Sequence, residues 1–173
     1  ESAEEAINLF NEYNKANDIE NMVSLYSDVY LDSVGYSSGT VVKMLEANRK
    51  NAQITKSETE SIEAIDENIE KAVVNMAIME EGKEVPYTYT YAMIKEDDGW
   101  AVSPDGVIEC INVEAPEIVS GKLNIYLSKI IKLVDGYILR ADISNNSSEA
   151  YSFGKEGNLC EVVVETTEGQ YKT

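Results

Sequence analysis

Apolar residues recur at helical spacing along the first sixteen positions, where Ala6, Ile7, Leu9, Phe10 and Tyr13 fall on one side of a 3.6-residue period. Ser2 and Glu5 stand at capping-box spacing, so the pattern predicts a helix over 3–16. "NKAND" interrupts it. Met22, Val23, Leu25 and Tyr26 then give one apolar side to a second helix over 19–26. "SDVYLDSVGYSSG", rich in Ser, Asp and Gly, reads as a loop with a brief extended piece; Thr40 reads as the cap of a third helix carrying Val41, Met44 and Leu45.

From Gln53 the period falls to two, with turn signals at "DEN", "EEGK" and "EDDG". A hairpin at "EDDG" pairs Lys95 with Trp100 and Met93 with Val102, and one at "EEGK" pairs Ile78 with Val85. The two registers agree on a heavy face holding Val74, Met76, Tyr87, Tyr89, Tyr91 and Trp100, and on a lighter one holding Asn75, Ala77, Thr88 and Ala92. A heavy face needs a cover, which the preceding helices supply. The predicted architecture is α+β: three N-terminal helices packed on an antiparallel sheet over 1–108. "INVEAPE" marks a linker over 109–116, because a proline between acidic residues breaks the strand pattern. Residues 117–173 hold strand-like runs only, "KLNIYLSKI", "YILRADIS" and "LCEVVVET", divided by "NNSS" and "TEGQ". They predict a small β-sandwich of fewer strands than the roughly seven of a complete immunoglobulin-like domain.

Charge narrows the partners. The chain carries 14 basic and 32 acidic side chains, a formal net charge of −18. Residues 1–110 hold 8 of the basic and 23 of the acidic ones. That field repels a phosphate backbone, and no basic cluster beyond "NRKNAQITK" offsets it, so nucleic acid is excluded as a partner. Histidine is absent, which removes the commonest general base and transition-metal ligand. Cys110 and Cys160, fifty positions apart, form no zinc or redox motif and are expected as free thiols. "KEDDG" and "SPDG" lack the alternating oxygen ligands of a calcium loop, so neither a metal nor a cofactor is expected.

The first part, with "NKANDIENMVSLYSDV" after a helix and strands ending in "YTYTYAMIKEDDGWAVSP", resembles the nuclear transport factor 2-like (cystatin-like) superfamily. That family has an Asp-to-Leu-Tyr second helix and a final hairpin ending in Gly-Trp. The second part, "LSKIIKLVDGYILRADISNNSSEAYSF", is similar to telokin-like, immunoglobulin-like modules of Gram-positive surface lipoproteins. The resemblance implies an extracellular, cell-surface address, with membrane attachment only through a lipid anchor outside these residues. It also implies a cone whose concave sheet face meets the first helix, where related proteins bind small molecules. Tyr87, Tyr89, Tyr91 and Trp100 would then line the sheet side of a ligand site, with Tyr13 and Tyr26 on the helical wall.

Buried tyrosines need partners for their hydroxyls, so several on one face suit a partly wet pocket; rings in a stripe also make ordinary core, with hydroxyls reaching the rim. Glu60 falls on the heavy face opposite Val74 if "DEN" is a three-residue turn that pairs Ile62 with Ala72. There its carboxyl would be desolvated, and would serve as an acid, a base or a ligand clamp. A bulge would instead turn Glu58 and Glu60 to water. Ketosteroid isomerases and polyketide cyclases share the fold, so the enzyme alternative is a small-molecule isomerase or cyclase using Glu60 and a tyrosine. The preferred expectation is a non-catalytic extracellular binding module. Its partner would be a small neutral or cationic molecule, since the acidic field opposes anions and no arginine is assigned to the wall, or else a cell-surface protein.

Overall fold

Ser2 caps the first helix as its spacing predicts: its hydroxyl accepts the Glu5 backbone N–H, and the Glu5 carboxylate accepts the Ser2 N–H at 2.7 Å. The computed structural model describes residues 2–49, 53–80, 82–114, 117–120, 122–146, 148, 163–166 and 169–172. Helix α1 spans Ala3–Ala16 and stops where Asn17 takes a left-handed conformation, φ 55°. Helix α2, Ile19–Ser24, is capped by Asp18. Two further helices follow, α3 over Asp28–Val34 and α4 over Ser38–Asn48.

The stretch expected as a loop therefore contains α3, and four helices precede the sheet instead of three. Its Ser, Asp and Gly residues are the helix's caps. The Ser27 hydroxyl accepts the Tyr30 N–H, and Gly35 ends the helix at φ 73°. A helix of seven residues is too short for its apolar period to stand out from those end signals. The third expected helix begins earlier than Thr40, under a cap from Ser37.

Strands β1 (Gln53–Ala64), β2 (Ile69–Glu80), β3 (Lys83–Glu96) and β4 (Gly99–Ser103) form one antiparallel sheet in that order. Lys95 faces Trp100, Met93 faces Val102 and Ile78 faces Val85, as alternation requires. The heavy face packs under the helices: Phe10, Ile7, Met22 and Val23 close over Val74, Tyr91, Met93 and Val102. A Phe or Met side chain buried this way contributes roughly 1.5–3 kcal/mol. The α2–α3 junction is tied to β4, where Val102 N–H donates to Leu25 O at 2.7 Å and Ser27 N–H to Val102 O at 2.9 Å.

The chain divides into two units, Glu1–Ala115 with Leu127–Ala141, and Pro116–Tyr126 with Asp142–Thr173. This differs from the expected boundary, because residues 109–112 are not linker. They belong to β5, Val107–Asn112, which pairs with the later part of β7, Leu123–Leu133; β7 pairs in turn with β8, Gly136–Asn145. Val107 and Ile131 are buried there, and apolar residues of this kind hold a strand in place through a composition that reads as a break. The lighter sheet face is not all solvated: Ala77, Ala92, Ala101 and Ser103 are buried. Gly106, at φ 70° in a 3-10 turn, lets this packing close, since a Cβ there would lie 2.7 Å from Val134 Cγ2. Lys71 adds an ion pair to Asp135 at 2.7 Å.

In the second unit, β6 (Ile118–Ser120) pairs with the start of β7, and β9 (Val163–Thr166) pairs with β10 (Gly169–Lys172). Of the β-sandwich expected over 117–173, Leu127–Ala141 belong to the first unit, and residues 121, 147, 149–162, 167, 168 and 173 lie outside the described set.

Candidate functional site

Six aromatic rings follow one another across the helix-covered face. Tyr30 meets Tyr26 edge-on at 5.3 Å, Tyr26 lies 6.2 Å from Phe10, and Phe10 lies 5.2 Å from Tyr91. The run continues through Tyr89, 6.4 Å from Tyr91, to Tyr87, 6.1 Å further on. Separations of this size are those of favourable tilted and edge-to-face ring pairs. Alternation on β3 sets Tyr87, Tyr89 and Tyr91 in line, while α1 brings Phe10 and the α2–α3 junction brings Tyr26.

The run has two unlike ends. Tyr91 is 6% exposed beneath Phe10, whereas Tyr89 is 36% exposed. The helices expected to cover the heavy face do not reach far enough along β3 to cover Tyr89. Tyr87 donates its hydroxyl to Glu80 Oε1 at 2.7 Å and borders a cleft of about 580 Å³ with Met76, Lys56, Glu84 and Pro86. Trp100 and Tyr13 are half-buried against the same core, without joining the run among the described ring contacts.

Glu60 lies elsewhere. Ile62 does face Ala72, but Thr59 faces Val74 and Ser61 faces Val73, so Glu60 is the extra residue of a β-bulge. It is exposed, and its carboxylate accepts from Asn75 Nδ2 at 3.1 Å; the Asn75 carbonyl oxygen accepts in turn from Thr88 on the lighter face. The expected position opposite Val74 is occupied by Thr59, which joins a polar seam under α1. Asn11 Nδ2 donates to Thr59 Oγ1 at 2.9 Å, Ser57 Oγ donates to Asn11 Oδ1 at 2.7 Å, and Asn14 Nδ2 donates to Ser57 Oγ at 3.2 Å. The carboxylate on which an isomerase-like mechanism depends is therefore absent from the heavy face at that position.

Burial pushes the Tyr26 and Tyr91 hydroxyls well above the ordinary phenol range, with Tyr30 adding to the rise at Tyr26 and Tyr26 to that at Tyr91; burial, helped by Asp105, also raises Tyr30. The hydrogen bond to Glu80 is the main cause of the rise at Tyr87. These phenols stay protonated at neutral pH, so they act as hydrogen-bond donors and acceptors and not as bases. Among the described residues, no group of three or more Cys, Asp or Glu is placed to hold a metal ion, and no helix is long and apolar enough to cross a membrane. Cys110 is a half-buried free thiol; Cys160 lies outside the described residues.

One residue outside the expected wall is influenced by its hydroxyls. Arg49, at the C-cap of α4, interacts electrostatically with the hydroxyls of Tyr26, Tyr91 and Tyr89, which partly offset the lowering of its pKa by burial. Val41 is buried and Leu45 packs on the core, and Arg49 continues their i, i+4, i+8 stripe. That spacing was available in the sequence, where "NRK" reads as a short basic surface run.

No protein-family model matches the chain, and no curated protein matches it. Among solved structures, the chain is similar to an NTF-2-like protein of unknown function from Shewanella oneidensis MR-1. The identity is 11% and the TM-score 0.46, over 57% of this chain and 89% of that one.

Proposed function

We propose that this chain is a non-catalytic binding protein that takes up a small organic molecule on the helix-covered face of its β1–β4 sheet. The observation carrying this reading is the ring run, which passes from a sealed end at Phe10 and Tyr91 to open rings at Tyr89 and Tyr87. A flat ligand laid against Tyr89 would extend that stack by one further ring, covering apolar surface that the helices leave in water. Protonated phenols along the run offer it hydrogen bonds without a reactive group.

The finer assignments belong to the same proposal: a nuclear transport factor 2-like cone followed by an immunoglobulin-like module, carried on the outside of a cell. They are supported by "NKANDIENMVSLYSDV", "EDDGW" and "ISNNSS" in the sequence. The test is a thermal-shift screen of the intact chain against aromatic fragments. Ligand at one hundred times its Kd stabilises a folded protein by about 2.7 kcal/mol, a shift readily measured. The expected result is a set of stabilising fragments whose effect disappears in Tyr89→Ala. Stabilisation that survives Tyr89→Ala would move the site off this face, and a screen without any stabilising fragment would end the small-molecule reading.

A further inference from the structure

The open end of the ring run stands beside a negative charge. Tyr87 donates its hydroxyl to Glu80 Oε1 at 2.7 Å, and its ring lies 6.1 Å from that of Tyr89 at an interplanar angle of 34°. Strand alternation puts Glu80, Tyr87 and Tyr89 on the same heavy face, where Glu80 and Tyr89 are exposed and Tyr87 is half-buried. Glu80 accepts this one bond, whereas an ionised carboxylate has about four acceptor positions. Among the described residues no base neutralises it. Lys83 faces it across the β2–β3 hairpin without forming an ion pair, and Lys56 is engaged with Glu58 at 3.2 Å.

We infer that this end of the run is a site for an organic ammonium, whose cation stands against Tyr87 and Tyr89 and pairs with Glu80 while its flat apolar body covers the rest of Tyr89. This inference rests on the binding site proposed above and specifies its ligand class. The face of an aromatic ring is the negative part of its quadrupole and attracts a cation within about 6 Å of the ring centre. Two rings 6.1 Å apart let one ammonium stand within that reach of both. The hydrogen bond from Tyr87 holds the Glu80 carboxylate at the rim of the same ring, and an ammonium has donors for the acceptor positions that Tyr87 leaves open. An anionic ligand would meet Glu80 with like charge, and a neutral one would leave it without a counter-ion.

The long-range field acts in the same direction. Residues 1–110 carry 8 basic and 23 acidic side chains, which draws cations towards the surface and speeds their encounter. That general attraction is screened by salt and selects no place on the surface. Contact with the two rings and with Glu80 selects it.

Three matched probes read the preference: 2-naphthylmethylammonium, 2-naphthylmethanol and 2-naphthoate, titrated into the intact chain and followed by ligand-detected NMR. The ammonium is expected to bind about fivefold more tightly than the alcohol, and naphthoate more weakly than either. Glu80→Gln should lower ammonium affinity by about two- to fivefold and leave the alcohol within about twofold. Tyr89→Leu should weaken the ammonium more than the alcohol, because it keeps apolar area and removes the ring. Asp97→Asn, which deletes an equal charge roughly 30 Å along β3 from Tyr87, controls for the general field and should leave the preference intact. Thermal unfolding of each variant confirms that it is folded. A loss in Asp97→Asn as large as in Glu80→Gln would reduce the preference to bulk charge and overturn the assignment. If the alcohol or naphthoate binds as tightly as the ammonium, the cation assignment is wrong while the site at Tyr89 stands. If none of the three binds, the site and the assignment fall together.

Discussion

The two ends of the heavy sheet face carry the same alternation of large side chains and meet different fates. At the inner end Ala72, Val74, Tyr91 and Met93 are sealed beneath α1 and α2. At the outer end Tyr87 is only half-buried and Tyr89 is exposed, although both are set by the same strand and the same register. Strand period decides which way a side chain points; the length and position of the covering helix decide whether it is covered. Helix α1 ends at Ala16, where Asn17 turns the chain away, and the outer rings stay open as a result.

The comparison can be broken most directly at Phe10, the ring that seals the inner end. Phe10→Ala should cost about 3–5 kcal/mol in denaturant-monitored stability, because the ring is fully buried between Tyr26 and Tyr91 and leaves a cavity. A loss near 1 kcal/mol would mean that the inner end is as loosely covered as the outer. The polar seam comes next. Asn14→Ala removes donors to Ser57 and to the Met76 sulfur from a buried site, and a loss of roughly 1–3 kcal/mol is expected. A neutral outcome would leave the attachment of α1 to its apolar contacts alone.

Alkali distinguishes the two ends by titration. A tyrosine in the unfolded chain ionises near pH 10, while Tyr26 and Tyr91 in the folded chain ionise higher. Above about pH 10 the unfolded state therefore loses protons that the folded state keeps, and stability falls as pH rises, by at most about 1.4 kcal/mol per pH unit for each of the two. Below that pH these phenols impose no slope. Phenolate absorbance should show Tyr26 and Tyr91 ionising only with unfolding; their ionisation in a chain that is still folded would contradict the sealed inner end. The smallest effect is expected at Tyr89→Ala, within about 0.5 kcal/mol, measured in the same denaturation series as Phe10→Ala. A larger cost would show that the outer ring is structural and not available to a ligand.

Much of the sheet was legible because hairpin turns and period-two alternation constrain each other. The pairs Lys95–Trp100, Ile78–Val85 and Ile62–Ala72 follow from turn position alone. Glu60 was lost two residues from the correct pairing of Ile62 with Ala72, since a bulge inserts one residue without altering the composition on either side. Helix α3 was hidden by its own caps. Strand β5 was hidden by the acidic residues around Pro116, which weigh on a composition reading and not on the burial of Val107. Of the site, the tyrosines on β3 could be placed from the sequence, but which of them stay open depends on where α1 ends, and that is set by tertiary packing.

The bulge at Glu60 bears on more than the helix-covered face. Strand β1 is an outer edge of its sheet, and its pairing is broken at Ile54/Lys56 and again at Thr59/Ser61, leaving no regular run longer than four residues, Lys56–Thr59 or Ser61–Ala64. A foreign strand laid along that edge would lose register within one such run and meet Lys56, Glu58 and Glu63 beside it. Edge strands that are long, straight and uncharged template intermolecular ladders, and this one, though long, is charged and twice interrupted. The irregularity that removes a carboxylate from the helix-covered face also works against the addition of a foreign strand at that edge.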